Sequence, residues 1–485
     1  MAENLKLSLL SPEEIGNIYD KCLHLLSTKG VQIGHQEALK LLDEAGAQVD
    51  MGTQRAKFPV DMIEQALETA PRSFTLAGQI EEDDFVIPDP KGMFYTRPCT
   101  GAPTYALPGS YNHPDTNLEY VAEWGRLASG LDEINTATFL SPQDVPEETA
   151  DVYGLRTVFE HTTRHIIVQP YGIGAVKYLF ELALAVAGSK EALKKRPVMS
   201  ILCCTLPPFV YDNLHTEVIL QASRLGVPVY PNPLVNAGAT SPITIPGTVL
   251  QSSAEVLGQL VMAQVFQPGT PVIAQPVYFT LDMSTGRILG SSFEACLGSA
   301  VAAQFIKEAF KIPVCTWGYN TDSYAVDGQA VQESLLKGLL VALSDCDLLI
   351  PAGQINCGIA ASPVQLLIDN ETIKILKRIK AGLKVDDDTL AWQEILDIEP
   401  GGHYLEMAHT LKHCREALRT TLPVTQPRDS WLADGGKDLN ARMTERYLDL
   451  KKKLQPKGLS KELKRELDNI VKRADDELVR KTKTV

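Results

Sequence analysis

The chain has 485 residues, 44% of them hydrophobic and 22% charged, with a net charge of −14. That length holds one large domain or two. A nucleic-acid binder needs a basic stripe to displace phosphate counterions. In this net negative chain the only basic stretch is the tail, Lys451 to Val485, with 12 Lys/Arg against 6 Asp/Glu, which reads as a solvated amphipathic helix. An apolar run of ~18 residues is absent, which excludes a membrane-spanning helix.

The start, Met1-Ala2-Glu3-Asn4-Leu5-Lys6, is not basic, leads into no long apolar core and does not read as a secretory signal. Ser11-Pro12-Glu13-Glu14 opens the first helix: Ser11 caps it, Pro12 takes the first turn and Glu14 closes a capping box. Ile15, Ile18, Tyr19, Cys22, Leu25 and Leu26 follow at helical spacing. A second helix is predicted over 36–44, ending at Gly46, and a third after Pro59. Residues 1–90 therefore read as a helical region, and Pro88, Pro90 and Gly92 mark the turn out of it. Residues 91–133 read as an entry loop and helix, with Tyr95, Arg97, Tyr105 and Tyr111 in a Gly/Pro-rich stretch.

From Ile134 short β-branched runs alternate with helical stretches. Strands are predicted at 134–140, 165–169, 198–204, 227–231, 272–277, 313–318, 348–352 and 366–368. The intervals suit a strand plus a crossover helix, and helices are expected at 178–187, 218–225, 254–266, 295–309 and 332–344. Eight such units predict an α/β fold, a (β/α)8 TIM barrel over 134–380, with an open doubly wound sheet as the alternative. Pro423, Pro427, Gly435 and Gly436 then break a polar stretch. The C-terminal extension, 381–485, ends in a tail with Leu459, Leu463, Leu467, Ile470, Val471 and Leu478 at helical spacing, an amphipathic helix docked on its own protein. Nine cysteines, an odd number without a CxxC pair, point to buried reduced thiols in a cytoplasmic protein.

In a barrel the chemistry gathers beyond the C-terminal strand ends. Those ends carry Gln169-Pro170-Tyr171, Cys203-Cys204-Thr205, Asn232, Asn236 and the stretch from Gln275 to Tyr278. The sixth predicted strand runs into Trp317-Gly318-Tyr319-Asn320-Thr321-Asp322, and the seventh leads to Gln354 and Asn356. The set is rich in amides and aromatics and poor in His and Lys. A single strand-end amide more often caps a loop, and a single tyrosine often packs a rim. Their recurrence at several strand ends is what suggests a site.

Familiar catalytic patterns are missing. Gly172-Ile173-Gly174 follows a strand, but Lys177 stands where a dinucleotide fingerprint needs its third glycine. His161 and His165 lack the intervening Glu of a zinc protease motif, and His165 begins a strand. His409 and His413 share a helical face beside Cys414, but no third ligand is evident, so no zinc or other metal site is expected.

Several segments, in order, resemble the trimethylamine methyltransferase family. They are Phe94-Tyr95-Thr96-Arg97-Pro98, Asn117-Leu118-Glu119, Gly130-Leu131-Asp132, Arg287-Ile288-Leu289-Gly290, Thr321-Asp322-Ser323, Asp327-Gly328-Gln329-Ala330, Asp369-Asn370-Glu371 and His409-Thr410-Leu411. The resemblance spans nearly the whole chain. Founding members of that family carry pyrrolysine in the barrel, whereas this chain holds only standard residues; the replaced position is expected near the sixth strand. The chain thus resembles members that act on quaternary amines such as glycine betaine, proline betaine and carnitine. That resemblance implies a methyltransferase whose acceptor is the cobalamin of a separate corrinoid protein, with no S-adenosylmethionine and no directly bound metal. A homo-oligomer is expected, and composition leaves neither membrane nor nucleic acid among the partners. Two other readings stay open: a non-catalytic quaternary-amine sensor, and a barrel decarboxylase or lyase.

Joined to the strand-end rule, the resemblance gives a candidate site. The ammonium is expected among Tyr95, Tyr278, Trp317 and Tyr319, with Arg97 holding a carboxylate tail. Gln275, Asn320 and Asp322 are expected to orient the substrate or complete its electrostatic surroundings.

Overall fold

A computed structural model describes residues 4–456 and 458–482. The first three residues of the start, and residues 457 and 483–485 of the tail, lie outside it.

The lead-in follows its local signals. Ser11 caps the helix Pro12–His24 in a capping box with Glu14, burying Ile15, Ile18, Cys22 and Leu23. The predicted second helix is Gln36–Glu44, and Val60–Thr69 is the third. The lead-in is not purely helical. Val31–Ile33, Gln48–Asp50 and Arg55–Lys57 form antiparallel pairs, and Phe74–Leu76 pairs with Phe85–Ile87 as a hairpin. These strands are three residues each, too short to show an alternation in sequence.

The central α/β body carries eight strands that we number β1 (Tyr95–Pro98), β2 (Thr136–Ala137), β3 (His165–Val168), β4 (Met199–Thr205), β5 (Val229–Ala237), β6 (Val277–Leu281), β7 (Cys315–Trp317) and β8 (Leu348–Ala352). Strands β2 to β6 pair in parallel in sequence order. Strands β7, β8 and β1 form a second parallel set, in which Leu348 lies beside Tyr95 and Ala352 beside Pro98. Backbone contacts join the two sets. Parallel bridges run from Val229 to Val272 and from Ala274 to Val314 on one side. On the other, the Asn135 N–H donates to the Thr96 carbonyl at 2.9 Å.

Two expectations are corrected. The stretch 366–368, expected as the eighth strand, lies inside the helix Pro363–Lys380, where Leu366 and Ile368 are buried. Ser362 caps that helix and Pro363 takes its first turn, as Ser11 and Pro12 do in the first one. The stretch around Arg97, expected as loop, is instead strand β1.

Helices lie between successive strands, among them Val176–Ala187, Asn213–Leu225, Ile245–Phe266, Phe293–Phe305 and Gly328–Leu343. Side chains between sheet and helices form the main core. A second core runs along the strands from the 74–87 hairpin to Ile350, with Tyr95 packed against it at one end and Trp317 at the other. In it Leu76 and Ile87 of the 74–87 hairpin meet Ile167, Leu202, Ile273 and Leu348, which makes an apolar floor. The tail helix Lys461–Thr482 packs against Ala150–His161 and Val176–Ala187, with Leu467, Ile470 and Val471 buried. Among the described residues, no helix is long and apolar enough to cross a membrane.

Candidate functional site

Strands alternate their side chains between two faces, so each candidate's place is fixed by one residue of register. The pairing sets Cys204 beside Asn232. Asn232 donates from Nδ2 to the Cys204 sulfur at 3.4 Å and accepts from Gln275 Nε2 at 3.1 Å. The Cys315 thiol donates to Gln275 Oε1 at 3.6 Å. On the opposite side Gln354 Nε2 donates to the Cys99 sulfur at 3.5 Å.

Arg97 enters this polar layer from β1. It is 2% exposed, and its charge acts on Cys315, Tyr230, Cys99 and Cys204. Its Nε and Nη1 atoms are buried without a hydrogen-bond partner among the described residues. Burial holds the guanidinium below its ordinary value, with those thiols and the phenol only partly opposing it. A buried cation beside thiols, a phenol and amides invites an anion.

A second layer sits at the C-terminal strand ends. Trp317, at the end of β7, meets the Phe279 ring edge-on, with centroids 4.7 Å apart and planes at 85°. Asn320 Nδ2 donates to Ser291 Oγ at 2.8 Å, and Lys337 Nζ donates to Asn320 Oδ1 at 2.9 Å and to the Gly290 carbonyl. Lys337 has no exposed surface, lies 5.7 Å from the Trp317 ring centroid, and has its pKa lowered by burial. Asp322 accepts from the Gly290 and Ser291 amides at 2.9 and 2.8 Å. Gly290 is required at that point. A Cβ there would come within 2.5 Å of Asn320 Nδ2 and 3.3 Å of the Trp317 ring.

The predicted residues therefore divide. Arg97 and Gln275 share the interior polar layer, and Trp317, Asn320 and Asp322 gather above it at the strand ends. Three tyrosines do not join them. Tyr95 begins β1 and packs on Phe85 at 4.3 Å in the floor, at the end opposite the expected mouth. Tyr278 faces the helix layer, because its ring fills the space where a Cβ of Gly298 would lie, 2.5 Å away. Tyr319 also faces outward; a Cβ on Gly338 would stand 3.1 Å from its ring. The expected cage of four aromatic residues is not assembled. Phe279, one residue after Tyr278, takes the inward place, and Lys337 comes from a helix rather than a strand end. Phe279 and Lys337 were both missed by the sequence reading: continuing the strand past 277 with its alternation is the signal that would have found Phe279, whereas Lys337 carried no strand-end signal.

Near the same layer, His215 Nδ1 donates to Asp212 Oδ1 at 2.9 Å. Burial pulls the imidazole pKa down, but Asp212 and Cys204 outweigh it and raise it to about 9.

Around the strand ends lies an apolar rim: Leu206, Ile243, Met283, Phe293, Tyr324 and Ile359 are exposed there. Among the described residues no group of three His, Cys, Asp or Glu is placed to hold a metal ion.

Comparison with known proteins adds the following. The trimethylamine methyltransferase (MTTB) family matches residues 2–479. The trimethylamine methyltransferase MttB of Desulfitobacterium hafniense (strain DSM 10664 / DCB-2) is 30% identical over 476 residues, covering 98% of this chain and 95% of its own. A glycine betaine methyltransferase of Desulfitobacterium hafniense (strain Y51) is 28% identical over 431 residues, covering 88% of each chain. The crystal structure of a hydroxylamine MtmB complex aligns with a TM-score of 0.50 at 13% identity, covering 96% of this chain and 92% of its own, a likeness of fold.

Proposed function

The chain belongs to the trimethylamine methyltransferase family, and on that premise we propose that it demethylates a betaine-type quaternary amine: glycine betaine, or a relative such as proline betaine or carnitine. The methyl group goes to the cobalamin of a separate corrinoid protein. One observation carries the choice of substrate. Arg97 is a buried guanidinium with two nitrogens unpartnered among the described residues. A carboxylate would satisfy it with charge-assisted hydrogen bonds; a simple methylamine would leave it unpaired. The 28% identical glycine betaine methyltransferase supports the same reading.

Substrate attraction divides between two layers. Arg97 holds the carboxylate, and the faces of Trp317 and Phe279 attract the trimethylammonium head, at ~0.5–2 kcal/mol per contact. Gln275 and Asn232 fix the interior wall through their mutual hydrogen bond. Lys337 and Asp322 hold Asn320, Gly290 and Ser291 in one geometry, so the strand-end layer does not reorganise as substrate enters. A docked corrinoid protein supplies Co(I) as the nucleophile. The C–N electron pair leaves with nitrogen, giving a neutral tertiary amine, so this chain need supply no proton. Its residues align the methyl carbon with the strand-end opening and keep water from the ammonium. The exposed apolar rim around that opening fits a protein face laid over it.

The same reading takes the eight parallel strands as one (β/α)8 barrel spanning 95–380. Its ring is joined through the Val229–Val272 and Ala274–Val314 bridges and the Asn135–Thr96 hydrogen bond. It also takes the protein as cytoplasmic, with its thiols reduced.

The test is direct. The protein is mixed anaerobically with cob(I)alamin and each candidate amine, and the demethylated amine is measured by mass spectrometry. Dimethylglycine from glycine betaine, or the matching product from a relative, is expected. Turnover of trimethylamine alone, or of none of the amines, would overturn the substrate assignment.

A further inference from the structure

Cys204 stands apart from the other thiols of the interior layer. Cys99 and Cys315 have no exposed surface, and burial pushes Cys99 up to about 12 and Cys315 well above its ordinary value. Cys203, one residue back on β4, points to the opposite face and is sealed as well. Cys204 is only partly covered, which leaves its sulfur within reach of a small solute.

That sulfur has two polar side chains on it. Asn232 Nδ2 donates to it at 3.4 Å. His215 bonds the two Asp212 oxygens through Nδ1, at 2.9 and 3.1 Å, which leaves its other ring nitrogen for the hydrogen bond to Cys204. Asp212 also caps the helix Asn213–Leu225 by accepting from the His215 amide at 2.8 Å, so the acid is held in place by the backbone. Burial lowers the imidazole, but Asp212 and Cys204 outweigh it, and at about 9 the ring is a cation at neutral pH. An imidazolium beside sulfur stabilises the thiolate, the form that attacks electrophiles.

Unpartnered groups surround the same residue. Arg97, whose charge acts on Cys204, has free Nε and Nη1 donors among the described residues. Gln259 has no exposed surface and donates from Nε2 to the Cys204 carbonyl at 3.5 Å, yet its Oε1 has no partner among the described residues. Buried donors and acceptors left open call for a ligand that can satisfy both. A hydroperoxide offers an O–H to an amide oxygen and lone pairs to a guanidinium.

We propose that Cys204 is an oxidation site, a thiol that His215 and Asp212 activate towards hydroperoxides. The sulfur attacks one peroxide oxygen and the O–O bond breaks. Sulfur is oxidised by two electrons to sulfenic acid. With hydrogen peroxide, the other oxygen is reduced and leaves as water, taking the proton that His215 held. No amine takes part, so the inference stands apart from the betaine reading.

The test uses the full chain, reduced and desalted, with hydrogen peroxide as reactant and dimedone as the sulfenic acid trap. Peptide mass spectrometry reads the label at each cysteine. Cys414 is the internal comparison, because it is exposed whereas Cys204 is partly covered. Exposure alone would label Cys414 first; activation should label Cys204 at least tenfold faster. Asp212→Asn keeps a capping side chain but removes the charge behind His215. It should slow Cys204 at least tenfold and leave Cys414 unchanged, and His215→Gln should do the same. A lead of Cys204 over Cys414 of less than tenfold, or a Cys204 rate unmoved in a folded Asp212→Asn variant, would overturn the proposal.

Discussion

Lys337 Nζ lies 2.9 Å from Asn320 Oδ1, with the lysine wholly buried and the asparagine likewise. This bond ties the helix Gly328–Leu343 to the turn that follows β7 and, through the Gly290 carbonyl, to the turn after β6. Lys337→Met should leave both acceptors unpaired in a dry site and cost about 2–4 kcal/mol, read as a lower urea midpoint. An unchanged midpoint would mean that water replaces the ammonium.

Arg97 should show the opposite balance between stability and binding. Its burial without an anion penalises the free protein. Arg97→Met should therefore leave the substrate-free protein as stable as before, or more stable by ~1–3 kcal/mol. It should also weaken glycine betaine binding by roughly 10- to 150-fold. Choline, which lacks the carboxylate, should bind with little change. Calorimetry on the folded variant checks all three; unaltered betaine affinity would discard the anchor.

Trp317 should respond to the other end of the substrate. Trp317→Ala removes one aromatic face and the edge contact with Phe279. Glycine betaine and choline should both weaken, by about 2- to 30-fold each, from ~0.5–2 kcal/mol of lost cation–π attraction. A loss confined to betaine would place the ammonium elsewhere.

Tyr95 belongs to the floor, packed on Phe85, far along the strand from the mouth. Tyr95→Phe should leave substrate affinity and turnover within about twofold of wild type. A tenfold fall in either, by the amine-release assay, would put the substrate at the N-terminal end of the strands.

The His215–Asp212 pair makes stability pH-dependent. The folded imidazole is raised to about 9 from an ordinary 6.5, so the folded protein binds a proton that the unfolded chain releases. The stabilisation is fully present below pH 6.5 and is lost as the pH rises through 9. At ~1.4 kcal/mol per unit it amounts to roughly 3–4 kcal/mol. Urea unfolding between those limits should show this decline in wild type, and His215→Gln should flatten it. A decline that persists in the variant would assign it to another group.

The sequence alone determined those features whose causes are local. Ser11-Pro12 with Glu14 set a helix start, and β-branched runs marked the strands from β2 to β8 except β6, which begins at Val277, where the expected strand 272–277 ends; caps and short-range periodicity act within a few residues. The same cap chemistry at Ser362-Pro363 was legible too, but the apolar run 366–368 reads equally well as a strand, and only the packing of Leu366 and Ile368 beneath a full helix decides. Strand β1 was hidden because its four residues end in proline and its partner, β8, lies about 250 residues away. The order of family segments was likewise visible in one dimension, whereas the candidate site was visible only in part. Tyr278 and Phe279 are neighbours in the chain, yet the pleat sends the first to the helices and the second to Trp317. Tyr95 and Arg97 share a strand, but two residues of rise separate an apolar floor from a buried cation. Composition supplied the types of side chain; which of them meet depends on register and on pairings made across hundreds of residues, which tertiary structure alone decides.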